Sequence, residues 1–170
     1  MTIWIDFDDT IYKCNDRLSE YAKQDVVDYD IRKYGLTTDV FSDKDFYIND
    51  EKYVIENSLE CIKKLSKLTD VRILTKIVKP IEVNYKQEFL NHFNLDIPLI
   101  CIQSHVDKQD YLGSDDFLID DSNFNLSGNS RNILFDYRNK FDKSWNVDLE
   151  NIFVKKSSWL DIYKYIKSML

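Results

Sequence analysis

The chain has 170 residues, of which 44% are hydrophobic and 14% aromatic, and its net charge is −7. That length fits one compact domain with room for a small insertion, and only three glycines and two prolines argue against long disordered linkers. The acidic balance excludes a general nucleic-acid-binding surface, which needs a basic face, although one local cationic pocket would suffice for a small anionic substrate.

Cys14, Cys61 and Cys101 are odd in number, widely spaced and form no CxxC pair. They read as reduced thiols, with Cys61 and Cys101 as buried small hydrophobes. The N-terminus lacks a basic region followed by a long apolar segment, and no run approaches membrane-spanning length. The expectation is a soluble cytoplasmic protein with no membrane partner.

Ile3–Phe7 reads as a buried strand ending in Asp6 and Asp8. Asn15 is placed to cap a helix running to about Tyr34, with Leu18, Tyr21, Ala22, Val26 and Tyr29 near helical spacing and Gly35 as its stop. From Leu36 to Tyr53 aromatics alternate with acids without a clear period, which predicts loop and short helix. A helix returns at about Ser58, with Leu59, Ile62, Leu65 and Leu68 as its apolar stripe. Val71–Thr75 is a second strand. Pro80 opens another helix, in which Tyr85, Phe89 and Phe93 stack at four-residue spacing. Ile97–Ile102, Phe117–Ile119, Ile133–Phe135 and Ile152–Val154 are further strands, and a last helix starts at about Ser158.

Short apolar strands alternating with helices predict an α/β fold, a Rossmann-like parallel sheet with helices on both faces. Residues 14–57 are long for one crossover and are assigned to a small, mainly helical cap inserted after the first strand. Residues 1–13 and 58–170 form the core.

In open parallel sheets ligands bind at the C-terminal strand ends. Asp6, Asp8 and Asp9 crowd the end of the first strand, and a divalent cation would relieve their repulsion. Oxygen ligands suit Mg²⁺. Thr75 ends the second strand, Lys108 lies in the loop after the third, and Asp120 and Asp121 end the fourth. A parallel sheet gathers all of these at one edge. Acids for a cation, a hydroxyl and an ammonium group are what phosphoryl transfer through an aspartyl phosphate requires. Lys76 and Lys79 compete with Lys108 for the cationic role. Phe41, Phe46, Tyr47 and Tyr53 are placed either to stack on a nucleobase or to pack the cap.

Asp6-Phe7-Asp8-Asp9-Thr10 resembles the first motif, DxDx[TV], of the haloacid dehalogenase (HAD) superfamily. Thr75, Lys108 and Asp120-Asp121 match its other three motifs in order. Within the superfamily the chain resembles the 5'(3')-deoxyribonucleotidases, through Arg72–Thr75, Asp107-Lys108, Asp116–Asp121, Ile133-Leu134-Phe135 and Ser158-Trp159. Asp9 departs from that branch, which commonly has Gly there, and reads as a bystander. Lys76 departs from its usual small residue before Pro.

The resemblance implies that Asp6 is the nucleophile and a Mg²⁺ ligand. Asp8 would serve as acid and base and bind the cation through its backbone carbonyl. Thr75 would bond the phosphoryl group, Lys108 would stabilise charge, and Asp120 and Asp121 would complete the metal shell. The implied activity is a Mg²⁺-dependent phosphomonoester hydrolase whose partner is a small phosphomonoester, a deoxyribonucleoside monophosphate first, acting as monomer or homodimer without a stable nucleic-acid partner. The alternatives are another small phosphomonoester, a nucleic-acid 3'-phosphate end, and a receiver-type aspartyl-phosphate switch. The switch fits less well, because its acceptor Asp follows the third strand, where this chain has Cys101-Ile102-Gln103.

Overall fold

The strands are β1 (Thr2–Ile5), β2 (Asp70–Ile77), β3 (Leu99–Gln103), β4 (Phe117–Asp120), β5 (Arg131–Phe135) and β6 (Val154–Lys156). They come from a computed structural model that describes residues 1–27, 30–126, 131–141 and 154–170. Among those residues they form one parallel sheet in the order β3-β2-β1-β4-β5-β6. The order reverses at β1, which pairs with β2 on one side and β4 on the other. A crevice opens at such a switch point, outside the carboxyl ends of the strands. Asp6 follows β1 at this crevice, and Asp120 and Asp121 lie at the end of β4.

The alternation of side chains along each strand divides the core in two. Ile3, Ile5, Ile73, Phe117, Ile119, Ile133 and Phe135 join the larger cluster. Trp4, Leu74, Leu118 and Leu134 join a smaller one with Ile102 and Leu126 on the other face. Helices α2 (Ser58–Leu65), α3 (Glu82–His92) and α4 (Trp159–Lys167) bury Ile62 and Leu65, Phe89 and Leu90, and Trp159, Ile162 and Ile166 in the larger cluster. On the smaller face Val106, Leu112 and Phe141 complete the cover.

Several local expectations need correction. Helix α1 is Cys14–Ala22 and stops there, because Lys23 turns left-handed at φ 53° and the chain closes back on Ser19 and Glu20. Asn15 lies inside this helix, after an N-cap position held by Lys13. A 3-10 helix follows at Ile31–Tyr34, and Gly35 ends that segment at φ 75°. Tyr29 lies outside the described residues, as does Ile152 of the expected last strand. Leu68 is exposed, and α2 presents Cys61 in its place. Cys101 is only half-buried. Thr75 does not end β2, which runs on to Ile77.

Residues 14–57 consist of α1 and 3-10 helices at Ile31–Tyr34, Thr38–Ser42 and Glu51–Tyr53. Their entrance and exit are zipped together. Lys13 N–H donates to the Tyr53 carbonyl and Ile55 N–H to the Ile11 carbonyl, both at 2.8 Å. Val40, Phe41, Phe46, Tyr47 and Tyr53 belong to the same hydrophobic cluster as Ile5 and Phe7. No described helix is long and apolar enough to cross a membrane.

Candidate active site

Asp6 extends the sheet ladder by one bond, its N–H donating to the Ile119 carbonyl at 2.9 Å. The chain then turns sharply. The Phe7 carbonyl accepts from the N–H groups of Ile11 and Tyr12, and Asp9 adopts a φ of 53°. The Asp9 carboxylate is wholly buried and accepts the Asn15 N–H at 3.0 Å, so it caps the start of α1. Asp9 therefore has a structural role in the turn, apart from the cavity lining. From behind, the Trp159 indole donates to the Thr10 carbonyl at 2.9 Å, fixing the loop to α4.

Lys108 opens a 3-10 helix at Lys108–Tyr111, capped by Asp107. It is fully buried, and its ammonium lies 2.6 Å from both Asp6 Oδ1 and Asp120 Oδ2. Burial opposes its charge, but the Asp120 and Asp6 carboxylates outweigh that and raise its pKa. An ammonium carries three donors, so one is left over after those two bonds. Burial pushes the Asp120 carboxyl up against the pull of Lys108. Both Asp120 oxygens also accept from the Asn125 amide, and Oδ1 accepts the Ser122 N–H.

The expected residues converge. Asp6, Asp8, Thr75, Lys108 and Asp121 line one cavity of about 400 Å³, a size suited to a small organic ligand. Its other walls include Ile31, Phe41, Tyr47, Val78 and Phe124. Among the four aromatics set aside for a base or the cap, Phe41 and Tyr47 reach the cavity, while Phe46 and Tyr53 pack inside the insertion. Lys76 lines the cavity and Lys79 pairs with Asp39 at 2.9 Å. His92 and His105 are exposed.

Lys86 escaped the sequence reading. It sits on α3, fully buried, with its ammonium 2.6 Å from Asp8 Oδ2 and 2.8 Å from Thr75 Oγ1. Burial opposes its charge, and Asp8 and Glu82 restore it and raise its pKa. Burial also pushes the Asp8 carboxyl up to about 6, against the pull of Lys86. Glu82 was missed as well. It accepts the Val78 and Lys79 N–H groups at 2.7 and 2.6 Å and the Tyr47 hydroxyl at 3.0 Å, joining the insertion to α3.

The donor set fits a hard cation. Carboxylate oxygens of Asp6, Asp120 and Asp121 lie within 4.8 Å of one another, and oxygen-only sites suit Mg²⁺. Lys108 pairs with Asp6 and Asp120, and Lys86 with Asp8; a divalent ion among Asp6, Asp120 and Asp121 would relieve the mutual repulsion of three carboxylates held so close together. The Asp8 carboxylate is not part of that group, so any cation contact of this residue falls to its backbone carbonyl.

No protein-family model and no curated protein sequence matches the chain. Solved structures do. A haloacid dehalogenase-like hydrolase of Burkholderia xenovorans is 10% identical with a TM-score of 0.65, covering 99% of this chain and 98% of that one. One of Xanthomonas campestris is 12% identical with a TM-score of 0.64, covering 99% and 95%. A HAD-hydrolase of Bacillus subtilis, solved bound to magnesium, is 12% identical with a TM-score of 0.61, covering 97% of each chain. This chain therefore has the fold of the haloacid dehalogenase-like hydrolases.

Proposed function

We propose that the protein is a phosphomonoester hydrolase acting through an aspartyl phosphate on Asp6. The observation that carries this reading is Lys108, buried between Asp6 and Asp120 on the floor of a cavity that also holds Asp8 and Thr75. In the first step an Asp6 oxygen attacks phosphorus and the ester P–O bond breaks. Asp8 gives its proton to the departing alkoxide. In the second step water attacks the phosphorus of the acyl phosphate, Asp8 takes its proton, and phosphate and the Asp6 carboxylate are released. The spare Lys108 donor and the Thr75 hydroxyl hold the equatorial phosphoryl oxygens. Mg²⁺ held by Asp6, Asp120 and Asp121 would neutralise charge on the transferring group; the magnesium-bound Bacillus relative supports that assignment.

The substrate we favour is a deoxyribonucleoside monophosphate. Phe41, Tyr47, Ile31 and Phe124 line the wall of the phosphate cavity and suit a flat base above a charged floor. A panel of mononucleotides, simple alkyl phosphates and 3'-phosphorylated oligonucleotides tests this choice, and preference for the oligonucleotides would replace it.

Asp6→Asn tests the reaction itself. The amide keeps the shape of the side chain but is a poor nucleophile, so turnover is expected to fall at least about 10³-fold with the circular dichroism spectrum unchanged. EDTA is expected to stop the parent enzyme and added Mg²⁺ to restore it. Turnover retained in Asp6→Asn overturns the nucleophile.

A further inference from the structure

Resting on that reaction, we propose that Lys86 is a positioning residue for proton transfer: it grips one oxygen of Asp8 and so presents the other to the leaving group. A lysine is almost never fully buried unless paired, and the desolvation penalty for its charge is several kcal/mol. Lys86 has no exposed surface at all. Its side chain runs between the rings of Phe7 and Tyr47, each centred 5.2 Å from the ammonium.

All three donors of that ammonium are directed at protein oxygens. They go to Asp8 Oδ2 at 2.6 Å, Thr75 Oγ1 at 2.8 Å and the Lys76 carbonyl at 3.4 Å. None is left for a phosphoryl oxygen, which separates Lys86 from Lys108. Its influence on the reaction therefore passes through the groups it holds. Two of them, Thr75 Oγ1 and the Lys76 carbonyl, belong to β2 and fix the ammonium to the sheet. The third is Asp8, which is then fixed in turn.

Asp8 shows the result. Its Oδ2 is engaged, while Oδ1 is buried without a hydrogen-bond partner. A carboxylate free to rotate would exchange its two oxygens and average their positions. Here the oxygens are distinguished, and the unpartnered one is left for the proton that goes to the leaving alkoxide and later comes from water. Thr75 gains a direction as well. Its oxygen accepts from Lys86, so its own proton points away, and its protein acceptor is the Lys76 carbonyl at a long 3.4 Å. A phosphoryl oxygen is a better acceptor.

Leaving-group dependence is the test, because losing proton donation slows the departure of a poor leaving group far more than that of a good one. A 4-nitrophenolate leaves without protonation, whereas an alkoxide does not. In single-turnover experiments, Lys86→Met is expected to slow phosphoryl transfer from an alkyl phosphate by about 10²–10⁴-fold, the range of general acid catalysis. The burst of 4-nitrophenolate from 4-nitrophenyl phosphate is expected to fall less than about tenfold on the same basis. Asp8→Asn is expected to give the same pattern, and Lys86→Arg, which keeps charge and donors, to recover part of the alkyl rate. Lys86→Gln supplies the measurement where the Met variant does not fold. Equal losses on both esters, or parent-like rates on both, overturn the role of Lys86 while leaving the hydrolase reading intact. A parent enzyme that hydrolyses neither ester, or an active Asp6→Asn, overturns the reaction and Lys86 with it.

Discussion

Asp9 is held at φ 53° while its carboxylate caps α1. Left-handed backbone costs most residues about 1–2 kcal/mol, and Asp and Gly are among the few that visit it readily. This accounts for an Asp at a left-handed position of the turn, which a Gly would also serve. Asp9→Gly loses the cap but relieves the backbone, and its stability in urea is expected to stay within about 0.5 kcal/mol of the parent. Asp9→Ala loses the cap and keeps the strain, and is expected to cost about 1–3 kcal/mol. The reverse order would show that the cap, and not the turn, sets the residue. Asp6, Asp8, Thr75, Lys108, Asp120 and Asp121 were legible because each follows or ends an apolar run, and a parallel sheet brings such positions together. Lys86 was not, because it lies inside a helix among charged neighbours. Its one signal is a lysine three and four residues before Phe89 and Leu90, on the face those two bury.

The elements are joined at their ends by side chains as well as by the ladder. Asp116, just before β4, accepts the Thr2 N–H at 2.6 Å, the Trp4 indole at 3.1 Å and the Gly113 N–H at 2.9 Å. It thus pins β1 to β4 at the edge of the sheet opposite Asp6 and Asp120. Burial works against the Asp116 charge, and the Gly113, Thr2 and Trp4 donors overcome it and hold its pKa below the usual 3.8. A depressed carboxylate stabilises the fold above its unfolded pKa, and that contribution is lost as pH falls through the folded value. Asp116→Asn is therefore expected to cost about 1–3 kcal/mol at neutral pH. The gap from the parent should narrow in urea titrations once the pH drops below about 4. A gap independent of pH would assign the effect to shape alone. β1 to β5 were readable at this scale to within two residues, because each carries a short apolar run between polar residues. The extent of α1 was not. Val26 keeps the expected spacing and is buried, but it reaches the core from irregular chain beyond the end of α1. Apolar spacing reported burial there, and Lys23 in the left-handed region, with no glycine to announce it, ended the helix.

Across the molecule, the insertion and the sheet share one hydrophobic cluster. Tyr12 stacks near Phe7 and meets Tyr47, Tyr53 and Phe89 at ring distances of 5.3–5.7 Å, and its hydroxyl donates to the Phe46 carbonyl. Among the described residues, Leu18, Val40, Phe41, Phe46, Tyr47 and Tyr53 share their hydrophobic cluster with the sheet. Denaturation followed by proteolysis within residues 36–50 and by the circular dichroism of the helices is expected to give coincident transitions. Earlier loss of the insertion would make it an independent unit. Sequence alone suggested a cap but not how it closes, since that depends on Tyr12, Glu82 and Arg17 meeting partners tens of residues away. The position of β1 between β2 and β4 also bears on how the protein is made. β1 precedes both of its sheet neighbours in the chain, so Asp6 lacks one flanking strand until β4 has been made, and the Thr10 carbonyl lacks its indole donor until Trp159 has. Domains fold as units during synthesis, so a chain cut before Trp159 carries Asp6 and Asp8 without the indole that fixes their loop to α4. The loop that carries Asp6 and Asp8 is thus completed from far along the chain, and its geometry is expected to be set only once α4 has docked.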